Sequence, residues 1–294
     1  MGTATISRRL ARERKRLQLR GHSGTKPGTL LKSQIPIRIW ADWDMRRSPA
    51  SSRSTAWVTR AGIPRVISVK TLTVTDIRVA WTETAAVKNK AQKWVFAALM
   101  DITEAFPFPI IGIDSDNGSE FINGHLLRYC TEQKITFTRS RAGRKNDGAH
   151  VEQKNWSVVR RAVGYHRYDT EVELALLNQI YALLRLQTNF FTPSQKLVEK
   201  HRVGAKVTKR YDTAATPYQR VLADPGISKK VETALTREYE SLNPAQIRRD
   251  LLDLQDQLLD LVKAKYQPTK LPVKPPSPTR APTREATKTP SRAS

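Results

Sequence analysis

The sequence predicts an α/β fold in which helices cover a sheet that begins early in the core. Two β-branched runs, "VKTLTVTD" and "RVAWTET", stand close together and predict an antiparallel hairpin. After them, segments with apolar residues at helical spacing alternate with short, continuously apolar runs, as expected for helices packed on a sheet. A chain of 294 residues has room for one sizeable core and for at most two domains.

Each further element has its own pattern. Trp94, Val95, Leu99 and Ile102 recur at helical spacing, and "FPIIGI" is a short apolar run typical of a buried strand. The other predicted elements are the strand "ITFT" and helices over residues 88–104, 123–133, 150–162, 172–186, 229–242 and 244–265. In the last helix Leu251 and Leu258 belong to a leucine series that packs within the domain or, as the less favoured alternative, forms an oligomer seam.

The predicted organisation has four parts. Residues 1–34 form a basic N-terminal arm, and residues 35–190 form the core, in which "IPIRIWADW" is a short strand or an apolar docking segment. Residues 191–266 form a basic, turn-rich and then helical C-terminal region. Residues 267–294, dominated by Pro, Thr, Ser and basic residues, form a tail predicted to be disordered.

The composition limits the classes of function. The single Cys130 excludes an intramolecular disulfide and most zinc sites. No run reaches the roughly 18 apolar residues that span a bilayer, so we expect a soluble protein of a reducing compartment. The net charge of +24 points to a polyanion such as nucleic acid. Residues 1–33, 46–70 and 267–294 carry +8, +6 and +5, which leaves the remaining chain only mildly basic.

Two carboxylates are candidates for catalysis. Asp116 in "GIDSDNGSEF" comes just after a buried strand, where open α/β sheets place their ligands, and Glu152 lies in the first turn of a helix. The thirty-five residues between them can form one helix, one strand and one loop, so the two side chains can meet. Hard oxygen ligands suit Mg²⁺ or Mn²⁺, and two such ions can stabilise an in-line phosphoryl displacement. Asp114, Glu120 and Asp147 compete for the same role, and "DNG" alone is a common turn.

Basic residues surround the two candidate carboxylates. They are Arg139, Arg141, Arg144 and Lys145 in the loop before Glu152, and Lys154, Arg160 and Arg161 after it. Lys154 and Arg161 are seven residues apart on one helix face, so both can reach phosphates of DNA. The alternative is an ordinary solvated loop and helix face.

"SDNGSEF", followed thirty-five residues later by the Glu of "RKNDGAHVEQKNW", resembles part of the DDE motif of transposases with a retroviral-integrase-like core. More narrowly, the chain resembles bacterial insertion-sequence transposases through "WTETAAVKNKAQKWVF", "RYCTEQKITFTRSR" and "AKVTKRYDTAATPYQR", among other segments. The resemblance spans residues 25–266 and implies an RNase H-like mixed sheet with flanking helices. It also implies metal-dependent cleavage of DNA ends, followed by attack of the freed 3′-OH on target DNA.

The resemblance assigns roles to residues and names partners. Asp116 matches the second metal-binding Asp and Glu152 the catalytic Glu, with Mg²⁺ or Mn²⁺ as cofactor. The partners are double-stranded DNA and further copies of the chain on DNA, in the bacterial cytoplasm at the nucleoid. Relatives carry Pro-Tyr where Ala142–Gly143 stand, and they begin with a helical DNA-binding region, of which we expect this chain to keep only a basic stub.

The first catalytic Asp of the family is missing. It belongs on the first strand of the core, just before "VKTLTVTD", but residues 45–69 contain no Asp or Glu. The segment "RRSPASSRSTAWVTRAGIPRVIS" (residues 46–68) has five arginines and no strand or helix period. We therefore expect this segment to be scrambled, irregular and poorly packed. The chain is interpreted as an impaired transposase, with an inactive DNA-binding remnant or an RNase H-like nuclease as alternatives.

A change of reading frame accounts for the missing Asp. Permitted codons for residues 50–68, read from the third base of the Ala50 codon, can encode Val-Glu-Ile-Asp, then Gly-His and Gly-Gly. Leaving out the one base that remains from Ser68 restores the written frame at "VKTLTVTD". Our hypothesis is that two compensating frameshifts, in the gene or in its sequencing, altered the segment.

The nucleotide sequence of the gene tests this hypothesis. We expect the shifted frame to encode Asp across the codons of Ser54 and Thr55, with the Gly-His and Gly-Gly pairs downstream of it. Resequencing the gene from genomic DNA separates a genuine double frameshift from a sequencing error. Codons that cannot give Asp at that point would refute the hypothesis.

Overall fold

The computed structural model describes residues 31, 33–37, 68–140 and 153–266, and the backbone of residues 54–61. The strands in these ranges are β1 (Ser54–Ala61), β2 (Lys70–Asp76), β3 (Thr82–Val87), β4 (Ile110–Ser115), β5 (Thr136–Arg139), β6 (Leu197–Val203) and β7 (Lys206–Tyr211). The helices are α1 (Gln92–Ala105), α2 (Gly124–Glu132), α3 (π-helical Asn155–Arg160, then α-helical Arg161–Val163), α4 (Glu171–Leu186, continued by the π-helical Gln187–Phe191), α5 (Pro217–Leu222), α6 (Lys229–Ser241) and α7 (Pro244–Tyr266).

The core is built on a five-stranded mixed sheet in the order β3-β2-β1-β4-β5. β1, β2 and β3 pair antiparallel, whereas β4 is parallel to β1 and β5 is parallel to β4. Helices cover both faces of this sheet. The predicted α/β class is confirmed, and the strand arrangement agrees with the RNase H-like sheet that the resemblance implies.

Strand β1 corrects the prediction for one part of residues 46–68. We expected an irregular segment, but residues 54–61 form an eight-residue strand at the centre of the sheet, whereas residues 46–53 and 62–67 lie outside the described residues. The segment "STAWVTRA" is rich in β-branched and aromatic residues, and its backbone bonds to β2 on one side and β4 on the other. Backbone ladders need N–H and C=O groups and no particular side chain, so the strand forms without the family's sequence. The strand nevertheless carries no Asp or Glu.

The side chains of β2 divide between two apolar cores. Leu72 and Val74 point into the first core, formed with β4, α1 and α2, whose largest side chains include Trp81 and Phe121. Thr71 and Thr73 point to the opposite face. There the second core joins α3, α4 and α7 through Val159, Val163, Leu177, Ile180, Tyr181, Leu251, Leu258 and Val262.

Hydroxyl groups connect the sheet to the second core. Thr71 Oγ1 and Tyr181 Oη are hydrogen-bonded at 2.6 Å, and Thr73 Oγ1 donates to Asn155 Oδ1 at 2.6 Å. These bonds satisfy polar groups that would otherwise be buried without partners. They also fix α3 and α4 at defined positions along β2.

The structure confirms most of the predicted elements, with ends that differ by a few residues. They are the hairpin β2–β3, helices α1 to α4, and helices α6 and α7. Leu251 and Leu258 are buried within the domain, so the favoured alternative for the leucine series is confirmed. Ile35 is buried and Ile37 bridges to Arg139, and the rest of the predicted strand or docking segment, residues 38–43, lies outside the described residues. The arm before residue 31 and the tail after residue 266 lie outside the described residues.

The structure adds a hairpin that we had interpreted as turn-rich sequence. β6 and β7 pair antiparallel across Gly204, whose φ of +58° favours glycine. Helix α5 follows with a capping box at Thr216 and Pro217 at its first turn. Among the described helices, including the 23-residue α7, none is long and apolar enough to cross a membrane.

The C-terminal end of α7 is fastened to the start of α4 by an ion pair. Lys265 Nζ lies 2.6 Å from the carboxylate of Glu173, whose side chain is fully buried, and also contacts Asp169. Glu173 accepts hydrogen bonds from the backbone N–H groups of Asp169 and Thr170. Burial alone would raise the pKa of Glu173, but the bonds from Lys265 and these N–H groups hold that pKa below its usual value.

The substitution Lys265→Met tests this connection. It leaves Glu173 buried without its cation, and we expect the free energy of unfolding to fall by about 2 kcal/mol, less than for a fully buried pair because Lys265 is 29% exposed. Urea denaturation at pH 7 measures the difference. Because the folded pKa of Glu173 is lowered, the wild-type advantage should shrink as the pH falls below the unfolded carboxyl pKa of about 4.3.

The matched control is Lys263→Met, on the same helix. Its partner Asp260 is exposed, so we expect no measurable loss of stability. Equal effects of the two substitutions would contradict the importance of the Glu173 pair.

Candidate active site

Asp116 lies at the carboxyl end of β4, next to the central strand of the sheet. Ser115, its preceding residue, pairs with Val58 of β1, so Asp116 stands beside the second half of that strand. The side chain is half-buried, and its Oδ1 accepts a hydrogen bond from Gly118 N at 2.8 Å. The buried run of β4 and the Asp-Asn-Gly turn therefore hold a carboxylate at the sheet edge, as the sequence predicted.

Two further acids lie near Asp116, and the structure distinguishes them. Asp114 is buried within β4 and accepts a hydrogen bond from Thr138 Oγ1 of β5 at 2.9 Å. Glu120 is also buried. A Cβ atom added to Gly118 would lie 2.8 Å from Asp116 Oδ1 and 2.9 Å from Glu120 Oε2, so both carboxylates converge on this glycine.

The oxygen ligands fit a hard divalent cation in type. Asp116 and Glu120 each place a carboxylate oxygen close to Gly118, and Mg²⁺ and Mn²⁺ prefer carboxylate ligands. Within the described residues, no group of three His, Cys, Asp or Glu side chains could hold a metal ion. Glu152 and Asp147, two other acids that the sequence offered for this site, lie outside the described residues.

The start of α3, which follows Glu152 in the sequence, lies close to the end of β4. Asn155, three residues after Glu152, bonds to Thr73 on the face of the sheet. Thr73 pairs with Thr59 of β1. The residue before Thr59, Val58, pairs with Ser115 at the end of β4. The helix therefore begins at the level of the sheet where β4 ends. Contact between Asp116 and Glu152 stays a prediction.

The predicted DNA-contacting residues have different surroundings. Arg141, Arg144 and Lys145 lie outside the described residues. Arg139 donates through Nε to the carbonyl of Ile35 and through a guanidinium nitrogen to Asn117 Oδ1 at 3.3 Å, so it braces the Asp-Asn-Gly turn. Arg160 donates to the carbonyl of Gly164 and lies 4.6 Å from the ring centre of Tyr165.

Lys154 and Arg161 line one cleft, which we call the basic cleft. It has a volume of about 980 Å³ and lies between α3, the end of β2, the β6–β7 hairpin and α7. Five basic residues line it against one acid, Asp76; they are Lys154, Arg161, Lys196, Lys209 and Arg248. The predicted common face of Lys154 and Arg161 is therefore present. Lys196, Lys209 and Arg248 were missed, because nothing in the sequence joins them to α3.

Two lysines of the basic cleft differ in how they are held. Lys196 Nζ donates to the carbonyls of Ile77 and Arg78 in the β2–β3 turn. Burial lowers the pKa of Lys196 to about 8, with Asp76 opposing the shift and Arg220 adding to it. Burial, with help from Arg220, likewise lowers the pKa of Lys154 to about 8. Within the described part of the chain, Lys154 has no hydrogen-bond or carboxylate partner.

No family model matches the chain. An uncharacterized protein of Sinorhizobium fredii, y4rM, is 38% identical over 224 residues, which are 75% of this chain. The chain spans 63% of the length of that relative.

The solved structures similar to this chain include retroviral integrase catalytic cores. The core of HTLV-2 integrase in complex with magnesium is 13% identical, with a TM-score of 0.37 over 49% of this chain and 90% of that one. The core of BIV integrase is 12% identical, with a TM-score of 0.37 over 57% of this chain and 93% of that one. Likeness at this level does not establish an activity, so the chemistry of the site follows from the residues of this chain.

The substitution Gly118→Ala tests the convergence of Asp116 and Glu120. The new methyl group would collide with both carboxylates, and neither can move freely because one is hydrogen-bonded and the other is buried. We expect a loss of about 1–3 kcal/mol in the free energy of unfolding, measured by urea denaturation.

Gly124→Ala is the matched control. It begins α2, and a Cβ there meets no atom within 4 Å. Its stability should be unchanged or higher by up to about 1 kcal/mol, because alanine restricts the unfolded chain. If Gly118→Ala were as stable as this control, the crowding at Gly118 would be disproved.

Proposed function

We propose that this protein is a transposase-type recombinase that cleaves and joins DNA with divalent metal ions, and that it is impaired as written. The observation that carries the proposal is the position of Asp116. It stands at the carboxyl end of β4, beside the central strand of a β3-β2-β1-β4-β5 sheet, and Glu152 follows after thirty-five residues. The expected DDE arrangement requires an acid at this point.

Asp116 and Glu152 would hold the metal, and Glu120, whose carboxylate also approaches Gly118, is a further candidate ligand. Bound Mg²⁺ or Mn²⁺ would stabilise the charge that develops on the attacking and leaving oxygens of the scissile phosphate. Asp116 is kept in position by the N–H of Gly118, and the adjoining turn is braced by Arg139 through Asn117. The site therefore rests on rigid backbone, as catalysis by positioning requires.

Double-stranded DNA is the proposed partner, bound by several copies of the chain at the nucleoid. Lys154 and Arg161, in the basic cleft next to the start of α3, are proposed to contact its backbone phosphates. Arg139, Arg141, Arg144, Lys145 and Arg160 remain further candidates for DNA contact.

The proposed impairment follows from β1. This strand lies beside β4 but offers no carboxylate, so one of the three ligands of the DDE site is missing. Removing one electrostatic stabiliser from an active site costs on the order of 100-fold or more in rate. Thr55, where the restored Asp would fall, is opposite Gly112, three residues from the Val58–Ser115 pair. Restoration should therefore also slide β1 by about three residues toward the site.

An inactive DNA-binding remnant is the second candidate, and the lack of an acid on β1 favours it. Such a protein would bind DNA through the basic cleft without cutting it. A nuclease of RNase H-like fold, which would hydrolyse DNA without joining ends, is distinguished by the same experiment.

The experiment compares the chain as written with a restored chain whose residues 50–68 carry the shifted-frame sequence. The substrate is a plasmid containing the gene and its flanking DNA, incubated with Mg²⁺ or Mn²⁺, and DNA binding, cleavage and strand joining are all measured. We expect the restored chain to be at least 100-fold more active. Asp116→Asn in the restored chain should abolish activity.

Asp101→Asn, an exposed acid on α1, is the matched control and should leave activity unchanged. Activity that survives Asp116→Asn would overturn the proposed site. DNA binding without cleavage by both chains would support the remnant, and cleavage without joining would support the nuclease.

A further inference from the structure

The hairpin β6–β7 is a two-stranded ribbon whose side chains are not buried by any part of the chain that the structure describes. All thirteen strand residues are exposed, and within the described part of the chain the sheet contains only these two strands. An isolated hairpin is marginally stable in water, so the ribbon gains little from its own side chains. Such an arrangement is expected where a partner covers the ribbon.

Charge is distributed unequally between the two faces of the ribbon. Glu199 and Arg210 face each other on one side and form an ion pair at 3.2 Å. The opposite side, which we call the cationic face, carries Lys200, Arg202 and Lys209 without an acid. Strand alternation fixes this division, because successive side chains point to opposite faces.

Lys200 and Lys209 are direct cross-strand partners. Like charges at this position repel each other and destabilise a hairpin. The two lysines therefore lower the stability of a ribbon that gains little stability from burial of its side chains. Losses of stability of this kind are typical of functional sites, and an anionic partner would remove the repulsion.

The cationic face continues into the basic cleft. Lys209 and Tyr211 belong to this face and also line the cleft, together with Lys154, Arg161 and Arg248. The ribbon and cleft therefore form one cationic surface that extends from the hairpin tip to α3.

The base of the ribbon is firmly held. Asp212 accepts a hydrogen bond from Lys196 N at 2.6 Å. It also forms an ion pair with Arg220 at 2.6 Å. Lys196 in turn bonds to the β2–β3 turn of the main sheet. The ribbon is thus fixed in direction relative to the core, which makes it suitable for positioning a ligand.

We propose that the cationic face of the β6–β7 ribbon enters the major groove of double-stranded DNA, while the basic cleft contacts the adjoining phosphates. The major groove admits a two-stranded ribbon, and strands of six or seven residues span about 20 Å, the length of a short groove segment. Lys200, Arg202 and Lys209 bind phosphates at the groove edge. This inference rests on the proposed function, because it supplies the surface that brings DNA to Asp116.

The test is equilibrium binding of a fluorescein-labelled 30-base-pair duplex, followed by anisotropy without divalent metal over a range of KCl concentrations. The double variant Lys200→Ala/Lys209→Ala is compared with Lys206→Ala/Arg210→Ala, which removes the same charge from the opposite face. We expect the first variant to reduce the slope of log K against log salt by about 1.8, since each lost phosphate contact contributes about 0.9. The second variant should change the slope by less than half as much.

Equal losses of slope in the two variants would overturn the proposal, because only the total charge would then matter. A second result would also overturn the proposal. In analytical ultracentrifugation the wild type would be a dimer and the first variant a monomer, while the two would bind DNA equally. The ribbon would then be a contact between copies of the chain. Asp116→Asn, measured alongside, should bind DNA like the wild type. The two proposals can therefore fail separately. If the ribbon does not bind DNA, the dependence of cleavage on Asp116 is not affected. If cleavage does not depend on Asp116, the result on DNA binding by the ribbon still holds.

Discussion

The central strand β1 must satisfy its backbone N–H and C=O groups on both sides, and the rest of the sheet depends on this. β1 bonds to β2 and to β4, so it joins the antiparallel half of the sheet to the parallel half. Without this strand, the end of β4 that carries Asp116 would be paired on one side only, with β5. The demand for pairing acts on the backbone, and a segment of moderate β-propensity is enough to meet it.

This separates the requirements of the fold from those of catalysis. A strand with Thr, Trp and Val can occupy the centre of the sheet, but it cannot replace a carboxylate that holds a metal ion. Each face of the sheet keeps its own apolar core: Val74 of β2 lies in the first, and Tyr181 of α4 lies in the second. A chain of this kind can therefore keep its architecture while its chemistry is lost.

The elements with strong periodicity could be predicted from the sequence, and those without it could not. Helix α4 has Leu177, Ile180 and Leu184 on one buried face, and β2 is fully buried. The ribbon β6–β7 was missed because both its faces are exposed, which removes the alternation that identifies a strand. At the site, the place of Asp116 followed from the strand before it, but the approach of Glu120 depends on the turn at Gly118, and Arg248 reaches the basic cleft only through tertiary packing.

Helix α7 gives the chain a particular order of events during its synthesis. Leu251, Leu258 and Val262 complete the second core, and Gln255 Nε2 donates to the carbonyl of Ala162 on α3 at 2.6 Å. The ribosome makes α3 and α4 long before α7. The apolar faces of α3 and α4 that pack on α7 therefore stay exposed to solvent while the first core can already assemble. During that interval aggregation competes with folding. A stop codon ahead of α7 would release a protein with one closed core and one that stays open.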